Sequence, residues 1–300
     1  MQKILLIGSS GLVGSRFVEL YGDKYKTLTP SHEDLDIRSN KSVKEYLSDY
    51  KPEFIINFAA YTNVSEAEKQ KGDKSSQCWK INVEGVRNIL DAIDPEKTDF
   101  VQFSTDMVMY ADADDPGPYS EDHPAGKDPD KNTWYGYTKG EAERLVLEKL
   151  GDKATILRII YPVRAKFDQK LDYLRKPLQL YDQGKLHPLF TDQQISITFI
   201  DEACEALRRI IEGKFHGVFH AGSRDITTPY EIISYLLERA RGAKEVVRSS
   251  SLHDFIRAGN SPVRYPEYGG LKVEATEKEL GMKFSTSREI VDELVEQGLS

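Results

Sequence analysis

Cysteine is almost missing from this chain. There are two, Cys78 and Cys204, in 300 residues, with no CxxC pair and no metal-ligand spacing. That argues against a disulfide framework and points to a reducing compartment. Both cysteines are expected to be buried small apolar residues. Long apolar runs are missing too. None approaches the roughly 20 residues that a membrane helix requires. The apolar stretch near the start is too short for a signal-peptide core and runs directly into glycines. The expectation is a cytoplasmic protein with no membrane partner. Positive charge is not in excess: the formal net charge is -8, with both signs spread along the chain. This argues against a nucleic-acid partner. It also means that any site for a phosphate must be built locally. His123, His187, His216 and His220 form no HxxxH or HExxH spacing, so no metal site is expected. Internal repeats and low-complexity tracts are absent as well.

What is present suits a globular protein: 39% apolar and 30% charged residues, in a chain long enough for one large domain or two modest ones. Apolar runs at residues 3–7, 25–28, 54–58, 100–104 and 155–160 read as strands. They alternate with helical periodicity at residues 12–21, around 43–47, at 77–93 and at 134–150. Such alternation implies an α/β fold, a parallel sheet covered on both faces. Residues 110–133 break the pattern and read as a long loop rich in Asp, Pro and Gly. A loop of this length is usually functional or mobile. After Pro162 the order loosens. Helices are expected at 171–183, 199–212, 229–240 and 287–297, with short strands at 186–190 and 217–220.

Three stretches carry chemistry. The first is GSSGLVG, where Gly8, Gly11 and Gly14 stand between a strand and a helix. Gly8 allows a tight exit, Gly11 lets backbone approach a pyrophosphate, and Gly14 lets helix and strand pack closely. The helix N-terminus then offers N–H groups and a partial positive charge to an anion. The second is YGYTK, in which Tyr135 and Lys139 lie one helical turn apart. An ammonium beside a phenol lowers its pKa from about 10, and such a phenol serves a carbonyl/alcohol pair as general acid or base. Tyr137 is the rival, without a lysine four residues on. The third is FSTDMV, which places Thr105 at the carboxyl end of a strand, where ligands of open α/β sheets bind. Each signal alone has a plain structural reading: a tight turn, a solvated helix face, a turn hydroxyl.

Together, in this order, they resemble the extended short-chain dehydrogenase/reductase superfamily, and most closely its dTDP-4-dehydrorhamnose reductase branch. LDIR at 35–38, NFAAYTNVSEAE at 57–68, INVEGVRNIL at 81–90, DQQISIT at 192–198, GVFHAGS at 217–223 and RYPEYGGL at 264–271 extend the likeness nearly end to end. The resemblance implies a Rossmann-type doubly wound sheet with a smaller C-terminal substrate-binding α/β portion. The NAD(P)-binding domain would cover residues 1–160, with 199–222 returning to it. Residues 161–300 would be mainly substrate-binding. It also implies that Gly8, Gly11, Leu12 and Val13 hold the pyrophosphate. Asp36 and Ile37 would flank the adenine, and Ala59, Ala60 and Tyr61 would lie along the cofactor. Thr105, Tyr135 and Lys139 would form the catalytic triad, with Tyr135 and Lys139 also meeting the cofactor. Thr105, Asp106 and Tyr161 would touch the sugar. The implied reaction is hydride transfer from NAD(P)H to C4 of a nucleotide-linked 4-keto-6-deoxy sugar. The second strand ends without an acid for a ribose diol. That leans toward NADP over NAD, with Ser31, His32 or Arg38 near a 2′-phosphate. A homodimer is compatible with the family.

The chain also departs from the family pattern. Met107, Met109, Ile159, Ile160, Pro162 and Ser196 stand where other residues are usual, and all are expected on the substrate side. Two other readings stay open. One is a regulatory subunit without catalysis, similar to the beta subunit of methionine adenosyltransferase. The other is a nucleotide-sugar epimerase or dehydratase.

Overall fold

The computed structural model describes residues 1–260 and 265–299. Along the chain the elements are β1 (Lys3–Ile7), α1 (Leu12–Tyr21), β2 (Lys26–Leu28), α2 (Asn40–Tyr50), β3 (Phe54–Asn57) and α3 (Val64–Glu68). Then come α4 (Gln77–Trp79), a π-helical turn (Lys80–Glu84) and α5 (Gly85–Leu90), followed by β4 (Asp99–Thr105), α6 (Trp134–Leu150) and β5 (Thr155–Ile159). The remainder holds β6 (Pro162–Val163), α7 (Arg175–Asp182), β7 (Leu189–Phe190), β8 (Thr198–Phe199), α8 (Ile200–Gly213) and β9 (Gly217–Ala221). It ends with α9 (Pro229–Arg241), β10 (Ser249–Ser250), α10 (Leu252–Arg257), α11 (Glu274–Leu280) and α12 (Ser287–Glu296).

The main sheet has six strands in the order β2-β1-β3-β4-β5-β9. Strands β2, β1, β3 and β4 pair in parallel, with Ile4 opposite Phe54 and Ile55 opposite Phe100. The order reverses between β1 and β3. This reversal is the switch point of a doubly wound sheet, and its crevice lies beyond the carboxyl ends of those strands. β1 is apolar throughout its buried length, and β3 as far as Ile56, because helices cover both faces. The helix expected at 77–93 forms as α4, the π-helical turn and α5, ending at Leu90.

Two compact units divide the chain. The first takes residues 1–109, 124–158 and 204–219. Its main core gathers Leu5, Ile7, Ile55 and Phe100 of the sheet with Val43, Ile89 and Val146 of the helices. The second takes 110–123, 159–203 and 220–300. Its core joins Leu174, Leu178, Ile232, Leu236, Ile290 and Leu294. α9 and α12 each start with a capping box, Thr228 with Glu231 and Thr286 with Glu289. Two parallel two-stranded pairs, β6 with β8 and β7 with β10, complete this unit. The expected loop at 110–133 holds neither helix nor strand. Its Tyr119 hydroxyl accepts from the Ala111 N–H at 2.8 Å and donates to the Asp115 carbonyl. Three short helices, α3, α10 and α11, were not anticipated from periodicity, since five to seven residues give it too little to act on. Among the described residues no helix is long and apolar enough to cross a membrane.

Candidate active site

At the end of β1 the three glycines do different work. Gly8 has φ +80°, and a Cβ there would stand 2.8 Å from the Ala59 nitrogen. A Cβ on Gly14 would stand 2.6 Å from the Gly8 carbonyl oxygen. Both are therefore required by the fold itself. Gly11 is exposed, has φ -74°, and its Cβ would meet only the Gly8 oxygen, at 3.3 Å. Little of the protein forbids a side chain at Gly11. α1 starts there without a side-chain cap and without an acidic residue in its first turn, whereas Ser39, Asn63 and Thr133 cap α2, α3 and α6. The positive end of the α1 dipole is thus suited to an anion. Leu12 and Val13 follow, half-buried.

Asp36 and Ile37 lie in the loop before α2. Ile37 is buried against Gly85, where a Cβ would come within 2.7 Å of its Cδ1, and its carbonyl accepts from Asn88 Nδ2 at 2.8 Å. Asp36 accepts from Arg38 Nε and Nη2, each at 2.9 Å, and this pairing holds its carboxyl below the usual range. Arg38 also donates to Gln77 Oε1, and its Nη2 lies 3.0 Å from His32 Nε2. Beyond β3, the Ala59 N–H donates to Asn57 Oδ1 at 3.2 Å and the Tyr61 N–H to Asn82 Oδ1 at 2.7 Å. Ala59, Ala60 and Tyr61 are half-buried.

At the end of β4, Thr105 accepts from the Met107 N–H at 3.2 Å and donates to Asp106 Oδ1 at 3.0 Å. It also lies close enough to the Tyr135 phenol to lower its pKa. Gly136 makes this meeting feasible. A Cβ there would fall 1.9 Å from the Met107 carbonyl oxygen, so only glycine lets the first turn of α6 rest on the turn after β4. Tyr137 points elsewhere: its ring stacks on Trp134 at 5.5 Å and lies 5.7 Å from the Arg144 guanidinium. The structure thus brings Thr105, Asp106 and Tyr135 together and separates Tyr137 from them.

Lys139 is buried one turn along α6 and donates to the Phe103 carbonyl at 2.6 Å. Burial pushes its pKa down to about 8, although Glu143 and Cys78 act the other way. The Tyr135 phenol is pushed above its ordinary value, first by burial and then by Asp106. This corrects the expectation that Lys139 lowers it: the ammonium is committed to a carbonyl, and desolvation governs the phenol. Burial also drives the Asp106 carboxyl up to about 7.

In the second unit, Tyr161 has φ +39°, a left-handed backbone rare for a non-glycine residue, and its ring packs on Tyr173 at 4.2 Å. Arg264 lies outside the described residues. The family departures divide. Met107, Ile159 and Pro162 are half-buried, but Met109 and Ile160 are at most 2% exposed and Ser196 is fully buried, its Oγ accepting from the Leu271 N–H. Those three are interior residues.

Three residues of the site escaped the sequence reading. Gly136 sat unremarked between two tyrosines. Asn82, in the π-helical turn, accepts from the Tyr61 N–H and donates to Thr138 Oγ1 at 2.9 Å, joining the loop after β3 to α6. Its signal was a polar residue on the apolar face of a helix. Gln102 is a fully buried amide in a strand read as apolar. Both expected cysteines are buried.

A doubly wound sheet with a glycine turn at its switch point and a Thr–Tyr–Lys set beside it defines an α/β protein of the short-chain dehydrogenase/reductase class. The chain belongs to the family described as RmlD substrate binding domain, whose model matches residues 1–299. It is 26% identical over 273 residues to the dTDP-4-dehydrorhamnose reductase of Aggregatibacter actinomycetemcomitans, covering 87% of each chain. It is 25% identical over 287 residues to the probable low-salt glycan biosynthesis reductase of Haloferax volcanii, covering 91% of each. Its fold matches the crystal structure of dTDP-4-dehydrorhamnose reductase from Bacillus anthracis in complex with NADP, with a TM-score of 0.83 and 22% identity, over 99% of this chain and 100% of that one.

Proposed function

We propose that the protein is an NAD(P)H-dependent reductase, dTDP-4-dehydrorhamnose reductase-like, acting on a nucleotide-linked 4-keto-6-deoxy sugar. The first unit is assigned to the cofactor and the second to substrate binding. One observation carries the reading: Thr105 and the Tyr135 phenol meet beside the end of β4, with Lys139 buried one turn along the same helix. In this reading Gly8, Gly11, Leu12 and Val13 hold the pyrophosphate of the dinucleotide. The nicotinamide supplies the hydride. Thr105 and Tyr135 orient the C4 carbonyl, and Tyr135 donates the proton to its oxygen. Lys139 fixes the nicotinamide ribose. The family resemblance assigns sugar contact to Thr105, Asp106 and Tyr161. Arg38 and His32 favour NADPH, because Asp36 is already engaged by Arg38 and offers no free carboxylate to a ribose diol.

The test is oxidation of NADPH and of NADH, followed by fluorescence, against a panel of 4-keto-6-deoxy nucleotide sugars. Stoichiometric oxidation with at least one panel member, faster with NADPH, is expected. Sugar conversion without net cofactor oxidation would make the protein an epimerase. Cofactor binding with no conversion of any member would favour the regulatory-subunit reading.

A further inference from the structure

Asn57 and Gln102 face each other where β3 stops and β4 continues. Both are 0% exposed, two amides facing each other in the interior of the sheet. Burying two amides is costly unless each polar atom finds a partner. Their partners form a single chain of bonds. The Ala59 N–H donates to Asn57 Oδ1 at 3.2 Å, and Asn57 Nδ2 donates to Gln102 Oε1 at 3.0 Å. Gln102 Nε2 donates to the Phe103 carbonyl at 2.7 Å, and Lys139 Nζ donates to the same oxygen at 2.6 Å.

The direction of this chain is fixed from its ends. A backbone N–H only donates, so Asn57 presents its oxygen to Ala59 and its NH₂ to Gln102. Gln102 must then present its oxygen to Asn57 and its NH₂ to Phe103. A carbonyl only accepts, so the far end is fixed as well. Neither amide can flip without setting donor against donor or acceptor against acceptor. The carbonyl of Phe103 has two lone pairs. Gln102 takes one, leaving one for the ammonium.

We infer that Gln102 is a positioning residue for Lys139: by holding one lone pair of the Phe103 carbonyl, it sets the direction from which the ammonium is held beside Tyr135. Asn57 locks Gln102 in that role and ties it to the loop after β3. The inference rests on the proposed role of Lys139. Gln102 touches neither reacting atom, so its effect is geometric, and small misplacements near a reacting centre are costly.

Gln102→Met removes the donor at similar length. A kcat about 10-fold lower is expected, with KM for the sugar nucleotide nearly unchanged and a cooperative thermal transition retained. Asn57→Leu/Gln102→Met removes both amides together, leaving neither with a lost partner in the other, and should lose kcat equally; it serves if the single variant does not fold. The decisive comparison is made in a Lys139→Met background. There, Gln102→Met should leave the residual single-turnover rate nearly unchanged, because its route of action is already gone. A parent-like kcat in folded Gln102→Met, or an undiminished 10-fold effect in the Lys139→Met background, would overturn the inference. If Lys139→Met itself keeps parent-like kcat, the assignment of Lys139 fails first and takes this inference with it.

Discussion

At the end of β1 the protein presents backbone: Gly8, Gly11, Gly14 and a helix start with no side-chain cap. At the end of β4 it presents side chains: Thr105, Asp106, Tyr135 and Lys139, with Gln102 and Asn57 beneath them. The first arrangement carries no titratable group, and the fold holds it by close approach alone. The second buries two ionisable groups whose pKa values are pushed toward neutrality, Asp106 up to about 7 and Lys139 down to about 8. A site that must grip a constant anion can be made of peptide groups. A site that must move a proton needs side chains in a place that penalises their charge.

The largest effect should come from breaking the backbone half. Gly11→Val is expected to abolish NADPH binding while leaving the fold intact, because Gly11 has an ordinary φ and its Cβ meets little protein. Titration calorimetry checks binding, and unchanged affinity in the folded variant would remove the turn from the site. Gly14→Ala should do the reverse kind of damage, lowering stability, since its Cβ would strike the Gly8 carbonyl at 2.6 Å. On the side-chain half, Tyr135→Phe should lose about 10²–10⁴-fold in kcat with cofactor binding retained. Tyr137→Phe should change kcat little, given its place against Trp134 and Arg144. Steady-state NADPH oxidation on the best panel substrate separates them, and an inactive Tyr137→Phe beside an active Tyr135→Phe would shift the catalytic register.

Gly136→Ala tests how the side-chain half is assembled. Its Cβ would overlap the Met107 carbonyl, so α6 must retreat from the turn after β4. A loss of about 1–3 kcal/mol in denaturant unfolding and a fall in kcat are expected together. A stable, fully active variant would mean that this contact does not set the distance from Thr105 to Tyr135. The smallest effect concerns pH. A carboxyl whose pKa is raised on folding binds its proton more tightly in the folded state. Its stabilising contribution is complete below the ordinary carboxyl pKa, near ~4, and is lost as pH rises through about 7. Asp106→Asn should therefore be more stable than the parent at pH 8, by about 1–3 kcal/mol, with the difference vanishing toward pH 4. Unfolding at both pH values checks this, and a difference independent of pH would place the Asp106 pKa near normal.

The same contrast explains what the sequence made legible. The glycine turn is local: strand, three glycines and helix are contiguous, and α1 and α6 run over the residues that their periodicity marks, Leu12–Tyr21 and Trp134–Leu150. The YxxxK pair was legible for the same reason. What joins them was not. Gln102 with Asn57, Asn82 with Tyr61, and Gly136 with Met107 are meetings across long stretches of chain, and none has a spacing rule. The pKa of Tyr135 was misjudged because proximity in helix register says nothing of which acceptor an ammonium selects. The short elements β6, β8 and α11 are too brief for any period to declare itself. The burial of Met109, Ile160 and Ser196 was not legible either, since each stands at a departure from the family pattern with no local spacing to mark it as interior.

The central claim is hydride delivery to the sugar, and isotope transfer tests it most directly. The protein is incubated with NADPH deuterated at nicotinamide C4, each face in turn, and the best 4-keto-6-deoxy nucleotide sugar from the panel. The product is then read by mass spectrometry and NMR. The account predicts that deuterium from one face appears at C4 of the sugar, one per cofactor oxidised, and that Tyr135→Phe suppresses the transfer. Product that forms without deuterium at C4, or no product with any panel member in the parent protein, would contradict it.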